Sequence, residues 1–138
     1  MARKKGNAKS PMPISQAPTK ELSALGSLHK AVLIPGSMGT SSWVLVGASK
    51  AMELTFGSTA HGAGRMMSRS AAKRKYWGGD IKNALEKRGI VVRAASVSIL
   101  AEEADPAYKN VDVVAEVSDQ IGIATKVARL VPLAVVKG

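Results

Sequence analysis

Ala31-Val32-Leu33-Ile34-Pro35-Gly36-Ser37-Met38-Gly39-Thr40-Ser41-Ser42-Trp43-Val44-Leu45-Val46 sets two apolar runs around one loop. Both runs are short and rich in branched or aromatic side chains, the composition of a buried strand. The loop between them carries Gly36, Gly39 and the hydroxyls of Ser37, Thr40, Ser41 and Ser42. A strand–loop–strand of this kind offers backbone N–H groups and hydroxyls to an anion or to the edge of a nucleobase. It is not a Walker A loop, because no Gly-Lys-Ser/Thr follows, and not a dinucleotide fingerprint, because a strand rather than a helix comes next. Taken alone, the segment is equally a polar hairpin turn.

Working outward, helices and strands alternate. Ser49 is expected to cap a helix over Lys50–Phe56 with Gly57 as its C′ residue, and Ser70 to cap Ala71–Tyr76. Asp80 is expected to begin Ile81–Arg88, with Ile81, Ala84 and Leu85 as its apolar face and Gly89 as its end. Ile90-Val91-Val92 reads as a strand, and Val97–Leu100 as another short strand or a turn towards Glu102. Asn110 caps an amphipathic helix with Val111, Val114, Ala115 and Ser118 on one side, closed by Gly122. Strands over Ile123–Leu130 and Leu133–Val136, separated by Pro132, complete the pattern. Hairpin-linked and helix-separated strands together give the class α+β. Met38, Met66 and Met67 read as core or pocket lining.

His61-Gly62-Ala63-Gly64-Arg65 carries the candidate chemistry. Gly62 and Gly64 lack Cβ atoms, so backbone can approach a phosphate closely and enter positive φ. An imidazole with an ordinary pKa of about 6.5 is mostly an uncharged nucleophile at neutral pH. Arg65 can fork onto phosphate oxygens as charge develops there. The other reading is a structural histidine in a glycine-rich turn. At the far end, an apolar strand delivers Lys137, either into a pocket or into solvent.

Charge favours an anionic partner. The chain of 138 residues carries a formal net charge of +10, and residues 61–93 hold nine Lys/Arg against Asp80 and Glu86. If Arg65 to Lys73 is helical, Arg65, Arg69 and Lys73 line one face at four-residue spacing. Trp43, Phe56, Tyr76, Trp77 and Tyr108 are the only aromatics, too few for a single-strand stacking platform. No cysteine occurs, which fits a reducing compartment such as the cytoplasm. No apolar run approaches the roughly 18 residues that span a membrane, and there is no secretory h-region.

The Pro35–Gly39 loop, the His61–Arg65 motif with Ser68-Arg69 after it, and the closing Val136-Lys137-Gly138 together resemble the C-terminal part of the tRNA-splicing RNA ligase RtcB family. Arg93–Ser96, Glu102-Glu103-Ala104 and Ala107–Val111 are also similar, particularly to archaeal members. The resemblance implies GTP-dependent joining of RNA 3′-phosphate or 2′,3′-cyclic phosphate ends to 5′-hydroxyl ends through a guanylylated histidine, here His61. It implies GMP contacts from Pro35, Gly36, Ser37, Met38, Ser42, Gly62, Ala63, Gly64 and Lys137, with Tyr108 as a ring packing near the guanine. Arg65 and Arg69 become RNA or phosphate contacts, and so does Lys5, in a basic segment resembling one that precedes the loop in the family.

The resemblance also exposes a gap. Family ligases are several times longer, and their manganese ligands lie upstream of the loop. This chain has no cysteine and only His29 besides His61, so it holds no ligand cluster of its own and Mn²⁺ is expected from an absent or partner segment. Residues 1–30 read as a basic N-terminal arm and a short helix that starts at Thr19–Leu22 and stops at Gly26; residues 31–138 read as the GMP-binding portion. Expected partners are RNA with tRNA-like broken ends and a metal-binding N-terminal half in trans. The alternative is a non-catalytic remnant whose basic surface binds RNA or a ribonucleoprotein.

Overall fold

β1 (Ala31–Pro35) and β2 (Ser42–Gly47) form an antiparallel hairpin with Ala31 opposite Val46 and Pro35 opposite Ser42. The computed structural model describes residues 30–138; the basic arm, Lys5, the Thr19–Leu22 helix start and His29 lie outside the described residues. Helix α1 (Lys50–Thr55) follows, then α2 (Arg69–Lys75), α3 (Gly78–Lys87), β3 (Val91–Ala94) and α4 (Val97–Glu102). A short 3₁₀ turn (Asp105–Ala107) leads to α5 (Val111–Gln120), β4 (Ala124–Leu130) and β5 (Ala134–Lys137). The mixture is α+β, as the alternating pattern predicts.

Two sheets make two cores. β4 pairs antiparallel with the free edge of β2, giving the order β1-β2-β4, and α5 packs on one face. Ile34, Leu45, Val111, Ala115, Ala124 and Ala63 are buried together there. Each fully buried Ile or Leu contributes roughly 2 kcal/mol. That exceeds the span of strand propensity, about 1 kcal/mol, so burial rather than intrinsic preference fixes the hairpin. The second sheet is β3 paired in parallel with β5, covered by α3 and α4. Its core joins Met38, Leu85, Ile90, Val92, Leu100 and Val135. The chain crosses between the sheets through Val131-Pro132-Leu133.

Several expected boundaries move. Val97–Leu100 is part of a helix, because Ser96 caps it, its Oγ accepting from the Ile99 N–H at 3.3 Å. A short apolar run cannot distinguish strand from helix, whereas the cap can. Ser68, not Ser70, caps α2, accepting from the Ala71 N–H at 3.2 Å. Helix α3 begins ahead of Asp80, at Gly78, where any Cβ would collide with the Val97 carbonyl. Ser49 stands at the N-cap of α1 without a side-chain capping bond, and Phe56 itself takes the left-handed turn expected of Gly57 alone. Met66 is exposed rather than core. The Asn110 cap holds, with Oδ1 accepting from the Asp112 N–H at 2.9 Å. Among the described residues no helix is long and apolar enough to cross a membrane.

Candidate functional site

Two aspartates hold the Gly36–Ser41 loop from below. Asp105 Oδ1 accepts from Ser37 Oγ at 2.9 Å and from the Gly39 N–H at 2.8 Å. Arg88 pairs with the other Asp105 oxygen at 3.5 Å and donates to the Gly39 carbonyl. Inside the loop, the Ser37 N–H donates to Thr40 Oγ1 at 2.7 Å. Asp112 Oδ1 accepts from Ser41 Oγ at 2.6 Å and from Trp43 Nε1 at 2.7 Å, while Arg129 forks onto both carboxylate oxygens. The loop is therefore fixed before any ligand arrives, the preorganisation an anion site needs.

Arg129 first, then Ser41, hold the Asp112 carboxyl well below the usual carboxylate range; burial opposes them, and Trp43 adds to the lowering. A depressed folded-state pKa stabilises the fold above the unfolded carboxyl value, about pH 4, and that contribution disappears as pH falls through the folded value. Urea midpoints at pH 7 and pH 3 are expected to differ more in the wild type than in Asp112→Asn. Equal pH dependence in the two proteins would remove Asp112 from the loop's support.

The His61 turn sits at one end of this loop. The Ala63 N–H donates to the Pro35 carbonyl at 2.9 Å, and Ala63 itself is buried in the first core. On its other side the Lys109 N–H donates to the Gly64 carbonyl at 2.9 Å, and the Met66 N–H to the Ala107 carbonyl at 2.8 Å. Gly64 needs its glycine, with φ of 77°, whereas Gly62 is not in the left-handed region and a Cβ there would meet Pro35 O at an ordinary 3.6 Å. The two glycines are thus not equivalent. His61 is exposed and forms no hydrogen bond to another described residue.

A cleft of about 360 Å³ opens between the loop, the crossing segment and β5. Gly36, Ser37, Met38, Ser42 and Lys137 line it, as does Glu103. Pro35, His61, Gly62, Ala63 and Gly64 do not line it; their turn meets the loop at Pro35. Met38 is buried in the second core and anchors the loop. Parallel pairing with β3 sets Lys137, whose carbonyl accepts from the Ala95 N–H at 2.8 Å. Its Nζ lies 3.5 Å from Glu103 Oε2. A larger groove of about 760 Å³ is lined by Tyr108 and Lys109, but its other charged residues are already paired as Arg88–Asp105 and Arg129–Asp112. The smaller cleft is the better candidate because the loop and the Lys137 strand end both line it.

The expected helix over Arg65–Lys73 begins only at Arg69; Arg65 instead forms an isolated bridge with Tyr108. All three cations nevertheless converge on Glu102 and Glu103. Arg65 Nη1 lies 3.4 Å and Arg69 Nε 3.6 Å from Glu103 Oε1, and Lys73 Nζ lies 2.7 Å from Glu102 Oε2. Arg65 also donates to the Met67 and Glu102 carbonyls and to Tyr108 Oη, and stacks 4.6 Å over the Tyr108 ring. Most of its donors are spent within the chain, while Arg69 stays largely exposed. Burial pushes Glu103 up, but the Tyr108 hydroxyl, Lys137 and Arg65 together hold its carboxyl below the usual range. Asp105 and Asp112 were not singled out from sequence, and Glu103 appeared there only within the Glu102-Glu103-Ala104 resemblance, with no role given to it.

Among the described residues no three His, Cys, Asp or Glu side chains gather as metal ligands. The carboxylates near the cleft are committed to arginines, lysines and hydroxyls, so this donor set does not fit Mn²⁺.

Fold and cleft define a mixed α/β module with a preorganised glycine–hydroxyl loop and an ammonium facing one cavity. The family model described as tRNA-splicing ligase RtcB matches residues 3–138. The chain belongs to that family. It is 59% identical over 111 residues to the tRNA-splicing ligase RtcB of Methanopyrus kandleri, covering 80% of this chain and 11% of the relative. It is 61% identical over 107 residues to that of Archaeoglobus fulgidus, covering 78% of this chain and 22% of the relative. The Thermococcus kodakarensis relative is 58% identical over 107 residues, covering 78% and 22%. The chain thus spans between about a tenth and about a fifth of the length of these relatives.

Proposed function

We propose that the chain supplies the guanine-nucleotide portion of a GTP-dependent RNA-joining site. In this reading an imidazole nitrogen of His61 attacks the α-phosphorus of GTP, a P–N bond forms, and the P–O bond to the departing pyrophosphate breaks. The GMP then passes to an RNA 3′-phosphate, derived where needed from a 2′,3′-cyclic phosphate, and a 5′-hydroxyl displaces it. Lys137 and the Gly36–Ser42 backbone and hydroxyls receive the nucleotide, and Arg69 is the exposed cation for an RNA phosphate. Arg65 orders Tyr108. Arg65, Arg69 and Lys137 set against Glu103 leave two positive charges beside the cleft, suited to an anionic ligand. The single supporting observation is that the loop and the Lys137 strand end, far apart in sequence, line one cleft, while the His61 turn, outside that lining, is hydrogen-bonded to Pro35 at the start of the loop.

No step here runs through manganese, whose donors belong on another segment or a partner chain in the cytoplasm. A second reading, a non-catalytic RNA-binding remnant, draws on Arg74 and Lys75, exposed cations outside the ion pairs among the described residues. Calorimetric titration with GMP separates the two. The wild type is expected to bind, and Lys137→Met to bind about tenfold more weakly, the size of one charge-assisted hydrogen bond. No heat with GMP, beside salt-sensitive RNA binding unchanged in Lys137→Met, would favour the remnant.

A further inference from the structure

We infer that Glu103 is the positioning residue of this cleft: it fixes Lys137, Tyr108 and Arg65 in place and touches no ligand itself. The inference rests on the reading of the cleft as a nucleotide site. Glu103 has a side chain only 14% exposed, and four partners from four separate segments meet on it. Oε1 faces Arg65 from the His61 turn and Arg69 from α2. Oε2 accepts the Tyr108 hydroxyl at 2.6 Å and lies 3.5 Å from Lys137 Nζ on β5. Both oxygens are occupied, so the carboxylate has little capacity left for a base or sugar and acts through its partners.

The charge balance gives it a task. Three cations this close repel one another and, unpaired, would swing apart into solvent. One half-buried carboxylate holds them together without cancelling the positive field of the cleft. Lys137 keeps two ammonium protons for a ligand while the third points to Glu103. The neighbouring Glu102 does something different: its carboxylate pairs with Lys73 and its carbonyl accepts from Arg65, tying α2 to α4 away from the cleft.

Glu103→Gln preserves shape and removes the charge. GMP affinity is expected to fall about tenfold. In a Lys137→Met background the same substitution is expected to change affinity less than about twofold, because Glu103 acts through the missing ammonium. An equal loss in both backgrounds would overturn the inference. A second readout needs no nucleotide. Tyr76 and Tyr108 are the only tyrosines, so Tyr76→Phe leaves one phenol to titrate by ultraviolet absorbance. Burial and then Glu103 raise the Tyr108 phenol above its ordinary value, and Glu103→Gln is expected to bring it down. An unchanged titration would also overturn the inference. Wild-type chain that binds no GMP would instead refute the nucleotide reading, leaving the phenol titration to decide whether Glu103 positions Tyr108.

Discussion

Alanine at Gly36 is expected to destabilise the fold by about 2–3 kcal/mol and to remove GMP binding. The new methyl would collide with the Ser41 carbonyl and Thr40 Oγ1, and would press on Val111 Cγ1 at 3.0 Å. The first of these is backbone and cannot rotate away. Thr40 is the acceptor for the Ser37 N–H, and Ser41 is tied to Asp112, so the collision breaks the turn at both supports. Gly62→Ala is the matching control: a Cβ there meets only Pro35, at ordinary contact distance, and stability is expected to stay within about 0.5 kcal/mol. Chemical unfolding and GMP calorimetry on both variants check this. Gly36→Ala with wild-type stability and affinity would mean that the closed loop does not shape the cleft.

What the chain discloses before folding is local. The apolar runs around Pro35–Ser42 specify the hairpin because alternate residues such as Ile34 and Val32 fall on one face, where α5 covers them. Asn110 declares its helix through a side chain that reaches only two residues on. Val97–Leu100 was ambiguous because a four-residue run with three apolar side chains satisfies either period; a serine just before it resolves it. The glycine–serine loop, the His61 turn and Lys137 were legible as motifs, yet their meeting was not. It depends on a parallel strand pair and on contacts such as Ser37–Asp105 and Ser41–Asp112, which join residues about 70 positions apart. Glu103 was hidden for the same reason. Its partners come from four segments, and burial does not set it apart, since its side chain is 14% exposed and that of Glu102 18%.

His61 bears the largest expected effect of any substitution, complete loss of covalent transfer from His61→Ala. The imidazole is exposed, and its turn is hydrogen-bonded to the loop that lines the cleft, so an incoming phosphate can reach it without opening either core. Removing the ring leaves Ala63 and Gly64 to hold the turn, so the fold and reversible GMP binding are expected to persist while the P–N bond cannot form. The most direct measurement is incubation with α-labelled GTP and Mn²⁺, with and without a polypeptide carrying the metal donors, followed by mapping of the labelled peptide. Acid-labile label on the peptide containing His61, absent from His61→Ala, is the predicted result. Folded wild-type chain that takes up no label under either condition, or takes it up equally in His61→Ala, would contradict it.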